Sequence, residues 1–141
     1  MGNDDVYVLG GRTMDPVAGL VFGVGLTMLG VMVHYVKNQV ASGSIRRNSA
    51  IGIRTKATMS SDGAWEAGHA SASPMLTVTY LTAYAVGAIT LAISLALTLS
   101  DTENPAVIIV PLAGICAVLA LLTAAAIKAN SAARAAGRAN R

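Results

Sequence analysis

Charged residues are scarce in this chain. Only 12% of its 141 residues are Asp, Glu, Lys or Arg, against about 25% in an average soluble domain. Aromatic residues make up 4%, so the net charge of +3 comes without the interleaved basic and aromatic residues typical of nucleic-acid binding. We therefore expect no direct contact with nucleic acid. A single cysteine excludes an intrachain disulfide.

Apolar residues make up 54% of the chain and are gathered in long uncharged stretches, which cover residues 16–36, 67–100 and 104–127. A helix needs roughly 20 apolar residues to cross a hydrocarbon layer about 30 Å thick. The second stretch begins with polar residues, so its span is predicted to start near Met75. The sequence therefore predicts an all-α integral membrane protein with three transmembrane helices, over about 16–36, 75–99 and 106–127, in one membrane domain over 16–127.

The basic residues predict how these spans are oriented. Half of the ten Lys and Arg residues lie in the loop over residues 37–74, and most of the others lie in the tail over 128–141. The turn between the second and third spans carries only acids, Asp101 and Glu103. Because short loops rich in Lys and Arg stay in the cytoplasm, we expect the loop and the C-terminal tail to be cytoplasmic. The N-terminal tail over 1–15 is then extracytoplasmic.

The cytoplasmic loop has the pattern of a structured segment. Ser61 is a candidate N-cap, and the residues after it are predicted to form a short interfacial helix. Trp65 would anchor this helix at the depth of the lipid headgroups. We expect the short helix to end before Pro74, which opens the second span.

Three residues of this predicted helix are candidate metal ligands. Asp62, Glu66 and His69 are spaced at i, i+4 and i+7, which places two carboxylates and an imidazole on one helix face. Helix capping and solvation of surface charge account for the two acids as well. Binding of metal by these residues is therefore the weaker interpretation, and we expect no cofactor and no catalytic residues.

The same loop carries a spaced pattern that resembles the signature of the SdpI family of bacterial membrane proteins. The pattern has the form N-x-x-x-G-I-R-T-x-x-T-x-x-S-x-x-x-W-x-x-x-H, and we refer to it as the motif. Its residues in this chain are Asn48, Gly52, Ile53, Arg54, Thr55, Thr58, Ser61, Trp65 and His69. The chain departs from the family where Ala70 follows His69, because members often have an arginine there.

This resemblance implies a multi-pass protein of the bacterial plasma membrane. The founding member of the family is similar to an immunity protein: it protects its producer from a secreted toxic peptide, and it signals by drawing a cytoplasmic repressor to the membrane. The motif residues are accordingly candidates for binding a peptide toxin or a cytoplasmic regulator. Two alternatives stay open, an accessory subunit of a larger membrane complex and a metal-dependent enzyme. A homo-oligomer is also open, because Gly19 and Gly23 form a GxxxG pair.

We expect five motif residues to form one connected cluster that closes the cytoplasmic end of the helix bundle. These are Asn48, Arg54, Thr58, Trp65 and His69. In this cluster Arg54 keeps its charge and needs acceptors. The nearest acceptors in the sequence are Asp62, Glu66 and nearby carbonyl groups, so an inward-facing Arg54 is predicted to bond to these.

Overall fold

Three long helices make up most of the structure. The computed structural model describes residues 16–102 and 104–139, so the predicted tail over 1–15 lies outside the described residues. Helix α1 covers Pro16–Ala41, α2 covers Asp62–Leu99 and α3 covers Ile109–Ala139, with a 3₁₀ turn over Pro105–Ile108 before α3. The described residues contain no strand. All three helices are long and apolar enough to cross a membrane, which confirms the predicted architecture.

Helix α2 lies between the other two helices and runs antiparallel to both. Near one end of the pair, Gly19 of α1 lies against Ser94 of α2. Near the other end, the ring of His34 stacks on that of Tyr80, with 4.2 Å between the ring centroids. Helix α3 packs on α2 where Gly68 approaches the backbone of Ala129. The central position of α2 makes it the element that holds the bundle together.

Small residues let the helices pack closely. A Cβ atom added at Gly23 would lie 2.6 Å from Cγ of Leu91 on α2, so the GxxxG pair of α1 serves a contact within the chain. The core of the bundle is also made of small side chains, and Ala72, Ala83 and Ala125 are fully buried. Such interfaces are typical of helices in membranes, where packing at short distance drives association.

The outer faces of the helices are apolar. Val21, Met28 and Ile109 expose 65%, 62% and 64% of their surface. In water such faces would aggregate, but lipid is an apolar solvent that accepts them. The protein is therefore a multi-pass membrane protein.

Helix α2 is longer than a membrane span. Its 38 residues reach about 57 Å at about 1.5 Å per residue, roughly twice the hydrocarbon thickness. Pro74 lies inside this helix, which is continuous from Asp62 onward. The expectation of a separate interfacial helix that ends before Pro74 is therefore wrong. Its residues are helical, but they form the first turns of α2, because a proline is tolerated in a helix that neighbouring helices support.

The helices extend beyond the predicted spans at the same end of the bundle. Residues 62–74 of α2 and residues 128–139 of α3 pack side by side there, with Ala129 and Ala133 buried. Most of the predicted basic tail is thus helical. The connecting loop, which we define as residues 42–61 between α1 and α2, lies at this end and carries most of the motif.

Candidate functional site

The centre of the site is a close contact between the connecting loop and two rings of α2. Trp65 and His69 are 3% and 7% exposed, and their ring centroids lie 4.0 Å apart. Gly52 has a φ of +124°, and a Cβ atom added there would lie 2.5 Å from Cη2 of Trp65. Only glycine meets both conditions, because other residues rarely adopt this φ and no side chain fits against the indole.

The neutral ring of His69 links the connecting loop to α2 through hydrogen bonds. Its Nε2 accepts a hydrogen bond from the backbone N–H of Ile53 at 2.9 Å. With Nε2 as acceptor, Nδ1 carries the proton, and Nδ1 donates it to the carbonyl oxygen of Trp65 at 2.9 Å. His69 lies ahead of Met75, where the predicted span of α2 begins. Burial lowers the pKa of His69, and the hydrogen bond to Trp65 opposes this only in part, which favours the neutral ring.

Two threonines fix the next turn of the loop. The fully buried Thr58 accepts the N–H of Thr55 at 2.9 Å and donates its hydroxyl to the carbonyl of Ile53 at 2.7 Å. In return, Oγ1 of Thr55 accepts the N–H of Thr58 at 3.2 Å. The methyl group of Thr58 packs on Gly68, where an added Cβ would lie only 2.9 Å from it. Thr58 therefore fastens the loop to the face of α2.

The start of α2 is capped from the same loop. Ser61 is the N-cap, and its hydroxyl accepts the N–H of Ala64 at 3.1 Å. Asp62 follows in the first turn, where a negative charge is favourable. Arg47 donates from Nε to Asp62 at 2.8 Å and from Nη1 to the carbonyl of Met59 at 3.2 Å. The role of Arg47 is not apparent from the sequence, because only folding brings it next to Asp62.

Two motif residues lie outside this network. Arg54 is exposed and donates to the carbonyl of Ser49. The exposed Asn48 makes no side-chain hydrogen bond to any residue that the structure describes. Of the expected acceptors, Arg54 therefore uses a nearby carbonyl and neither acid, since Arg47 occupies Asp62. Of the five residues expected in one cluster, the structure brings together Thr58, Trp65 and His69.

A family model described as the SdpI/YfhL protein family matches residues 44–125, which is more than half of the chain. The chain belongs to the SdpI/YfhL family. The match begins at the start of the connecting loop and ends inside α3, so it includes the whole motif and the whole of α2. The comparisons with curated proteins and with solved structures each gave no match.

The structure does not bring Asp62, Glu66 and His69 together as a set of metal ligands. Both ring nitrogens of His69 are engaged in hydrogen bonds, and Asp62 is paired with Arg47. Within residues 16–102 and 104–139, no group of three His, Cys, Asp or Glu side chains is placed to hold a metal ion. The interpretation of Asp62, Glu66 and His69 as a ligand set is therefore not supported.

A cavity of about 1150 Å³ lies beneath the connecting loop, between the end of α1 and the first turns of α2. Its walls combine apolar side chains of α1, such as Val36, with Trp65 and His69 of the motif. Charged side chains from the end of α1, the loop and the start of α2 also line the cavity. It differs from most of the bundle in offering both apolar and polar contacts to a ligand.

Proposed function

We propose that this SdpI-family protein is an immunity or signalling protein that binds a peptide toxin or a cytoplasmic regulator on its connecting loop. The role is one of binding rather than catalysis. The observation that carries the proposal is the division of the motif into fixed and displayed residues. Most motif side chains hold the loop in one conformation, whereas Asn48 and Arg54 are exposed to a partner.

The fixed residues make the loop a rigid support. Gly52, Thr58 and His69 join the loop to α2 through a close backbone contact and hydrogen bonds. Ser61 and Thr55 stabilise the turns that lead into the helix. A surface that is already ordered loses little conformational entropy on binding, and this favours affinity for a partner.

The displayed residues have the chemistry to recognise a peptide. A guanidinium group has five N–H donors, and the structure engages Arg54 with a single acceptor, the carbonyl of Ser49. The remaining donors suit a carboxylate, which binds guanidinium in a bidentate manner. Asn48 directly precedes Ser49 in the chain, and its amide offers both a donor and an acceptor to a peptide backbone. Together they favour a partner with an acidic or C-terminal carboxylate group.

Survival of a deletion strain tests this function. Cells that lack the gene are exposed to the peptides secreted by the parent strain and are complemented with the wild-type gene or with variants. We expect the wild type to restore survival and Arg54→Ala to restore much less, at equal abundance in the membrane. Lys56→Ala is the matched control, because Lys56 is another exposed base of the same loop. Equal protection by Arg54→Ala and the wild type would contradict the proposal.

The accessory-subunit alternative predicts a different outcome. Deletion would then leave survival unchanged, and the protein would co-purify in mild detergent with one fixed partner at constant stoichiometry.

A signalling role predicts instead that deletion changes the distribution of a soluble regulator between membrane and cytoplasm, which fractionation of the same cells measures.

A further inference from the structure

The cavity beneath the connecting loop is large and continues onto the lipid-facing surface of the protein. Its volume of about 1150 Å³ exceeds the roughly 300–1,000 Å³ of most small-molecule pockets. Met32 lines the cavity and is also 62% exposed on the outer face of α1. An apolar chain lying along α1 in the bilayer could therefore enter the cavity without crossing water.

One wall of the cavity is made by the apolar face of α1. Leu29, Val33 and Val36 line it and belong to the predicted span over 16–36, while Leu76 lies opposite on α2. The N–H and C=O groups of this helical wall are already used within the helix. An extended peptide there would lack partners for its backbone, whereas a hydrocarbon chain needs none.

The rim of the cavity carries an uncompensated positive charge. Three bases line the cavity, Lys37, Arg46 and Arg47, against two acids, Asp62 and Glu66. The salt bridge between Arg47 and Asp62 is the only one among the described residues, so no acid neutralises Lys37 or Arg46.

These two bases bond only to neutral groups of the protein. Lys37 donates to the side-chain oxygen of Asn38, and Arg46 donates to the carbonyl of Gly43. An anionic group placed between Lys37 and Arg46 would interact with two positive charges. Glu66 has no basic partner in the part of the chain that the structure describes and can accept hydrogen bonds from hydroxyl groups.

We propose that this cavity binds an anionic phospholipid whose headgroup carries hydroxyl groups. One acyl chain lies along Val33 and Val36, the phosphate binds Lys37 and Arg46, and a headgroup hydroxyl donates to Glu66. The single surplus positive charge of the rim matches the single negative charge of such a lipid. Of the two residues proposed to recognise a peptide, Asn48 also lines this cavity and Arg54 does not, so the contacts of Arg54 with a peptide lie outside the lipid site.

Trp65 allows a direct test, because it is the only tryptophan of the chain and it lines the cavity. The purified full chain is placed in phosphatidylcholine nanodiscs that contain increasing fractions of phosphatidylglycerol brominated on its acyl chains. We expect the bromine atoms to quench Trp65 fluorescence at low fractions and to saturate. Brominated phosphatidylcholine at the same fractions should quench less.

Substitution of the bases at the rim tests whether the quenching of Trp65 depends on the proposed headgroup contacts. Arg46→Gln and Lys37→Gln should each raise the half-saturating lipid fraction about fivefold, which corresponds to roughly 1 kcal/mol per base near an anionic headgroup. Lys56→Gln, which removes a base of the loop that does not line the cavity, should leave it unchanged. Native mass spectrometry of the wild type should retain one phosphatidylglycerol per chain.

Competing ligands distinguish the possible occupants of the cavity. Unlabelled phosphatidylglycerol should reverse the quenching, and soluble glycerol phosphate should not. Equal quenching by the two brominated lipids, or no effect of Arg46→Gln and Lys37→Gln, would overturn the proposal. If glycerol phosphate reverses the quenching, the ligand of the cavity is a soluble phosphate and not a lipid. A different outcome would assign the cavity to a peptide: brominated phosphatidylglycerol never quenches Trp65, and a secreted peptide shields Trp65 from a water-soluble quencher.

Discussion

The backbone N–H of Ile53 donates a hydrogen bond to Nε2 of His69 across 2.9 Å. This bond joins the connecting loop to α2 beside the contact of Gly52 with Trp65. It requires a neutral ring, because a protonated Nε2 is a donor and cannot accept. One of the contacts that hold the loop on the bundle therefore depends on the protonation state of His69.

Replacing His69 by phenylalanine should destabilise the protein. His69→Phe keeps a ring against Trp65 but leaves the N–H of Ile53 without its acceptor. An unsatisfied buried group costs about 1–3 kcal/mol, and we expect the free energy of unfolding in detergent micelles to fall by that amount. Glu66→Ala, on the exposed face of the same helix, is the control and should change stability little. A His69→Phe variant as stable as the control would show that the bond contributes nothing.

Stability should fall in mildly acidic solution. The pKa of His69 is lowered in the folded protein by burial, whereas in the unfolded chain it is about 6.5. Between these two values the unfolded chain binds more protons, so the free energy of unfolding decreases as the pH drops from about 6.5 through the folded pKa. Circular-dichroism melts across this range measure the effect. The slope should be smaller in His69→Phe, and an unchanged slope in that variant would assign it to another group.

Gly52→Ala should be among the most damaging single substitutions in the loop. It combines a φ of +124° with a clash against Trp65. We expect a loss of about 2–5 kcal/mol, from backbone strain and overpacking together. Gly43→Ala separates the two causes, because Gly43 has a φ of +76° but no atom within 4 Å of an added Cβ. Gly43→Ala should lower the free energy of unfolding by only about 1–2 kcal/mol. Equal losses of stability in the two variants would argue against the contact with Trp65.

Much of the fold could be predicted from the sequence, because the cause of each feature is local. Charge-free stretches mark the spans, since hydrocarbon excludes charge. Ser61 lies directly before an acidic residue and caps α2 as its position predicts. Pro74 is an exception, because a proline alone predicts a helix boundary and only the packing of neighbouring helices shows that α2 continues through it.

The site could be predicted less completely, because its pairings depend on the tertiary fold. Several bases of the loop could reach Asp62, and nothing in their spacing shows that Arg47 does so while Arg54 turns outward. The neutral state of His69 is likewise fixed by Ile53 and Trp65 from two different elements. The motif spacing predicts which residues are candidates, and the structure adds that Thr58, Trp65 and His69 are buried whereas Asn48 and Arg54 are exposed.

The orientation in the membrane remains a prediction that thiol labelling can check. In a Cys116→Ala background, Ser44→Cys lies in the connecting loop and Thr102→Cys lies in the turn after α2, and both positions are exposed. Basic loops stay in the cytoplasm, so an impermeant thiol reagent applied to intact cells should label Thr102→Cys and not Ser44→Cys. Permeabilised cells should label both. The reverse pattern in intact cells would invert the orientation.

The central claim is that the motif combines residues that hold the loop with residues that are displayed for a partner. Unfolding of two purified variants, Arg54→Ala and Trp65→Ala, measured against the wild type in the same detergent, tests it most directly. Trp65→Ala should lose about 3–5 kcal/mol, as expected for a large buried aromatic side chain. Arg54→Ala should stay within about 0.5 kcal/mol of the wild type, as is usual for a surface residue. An Arg54→Ala variant that loses as much stability as Trp65→Ala would show that Arg54 is structural and would contradict the claim.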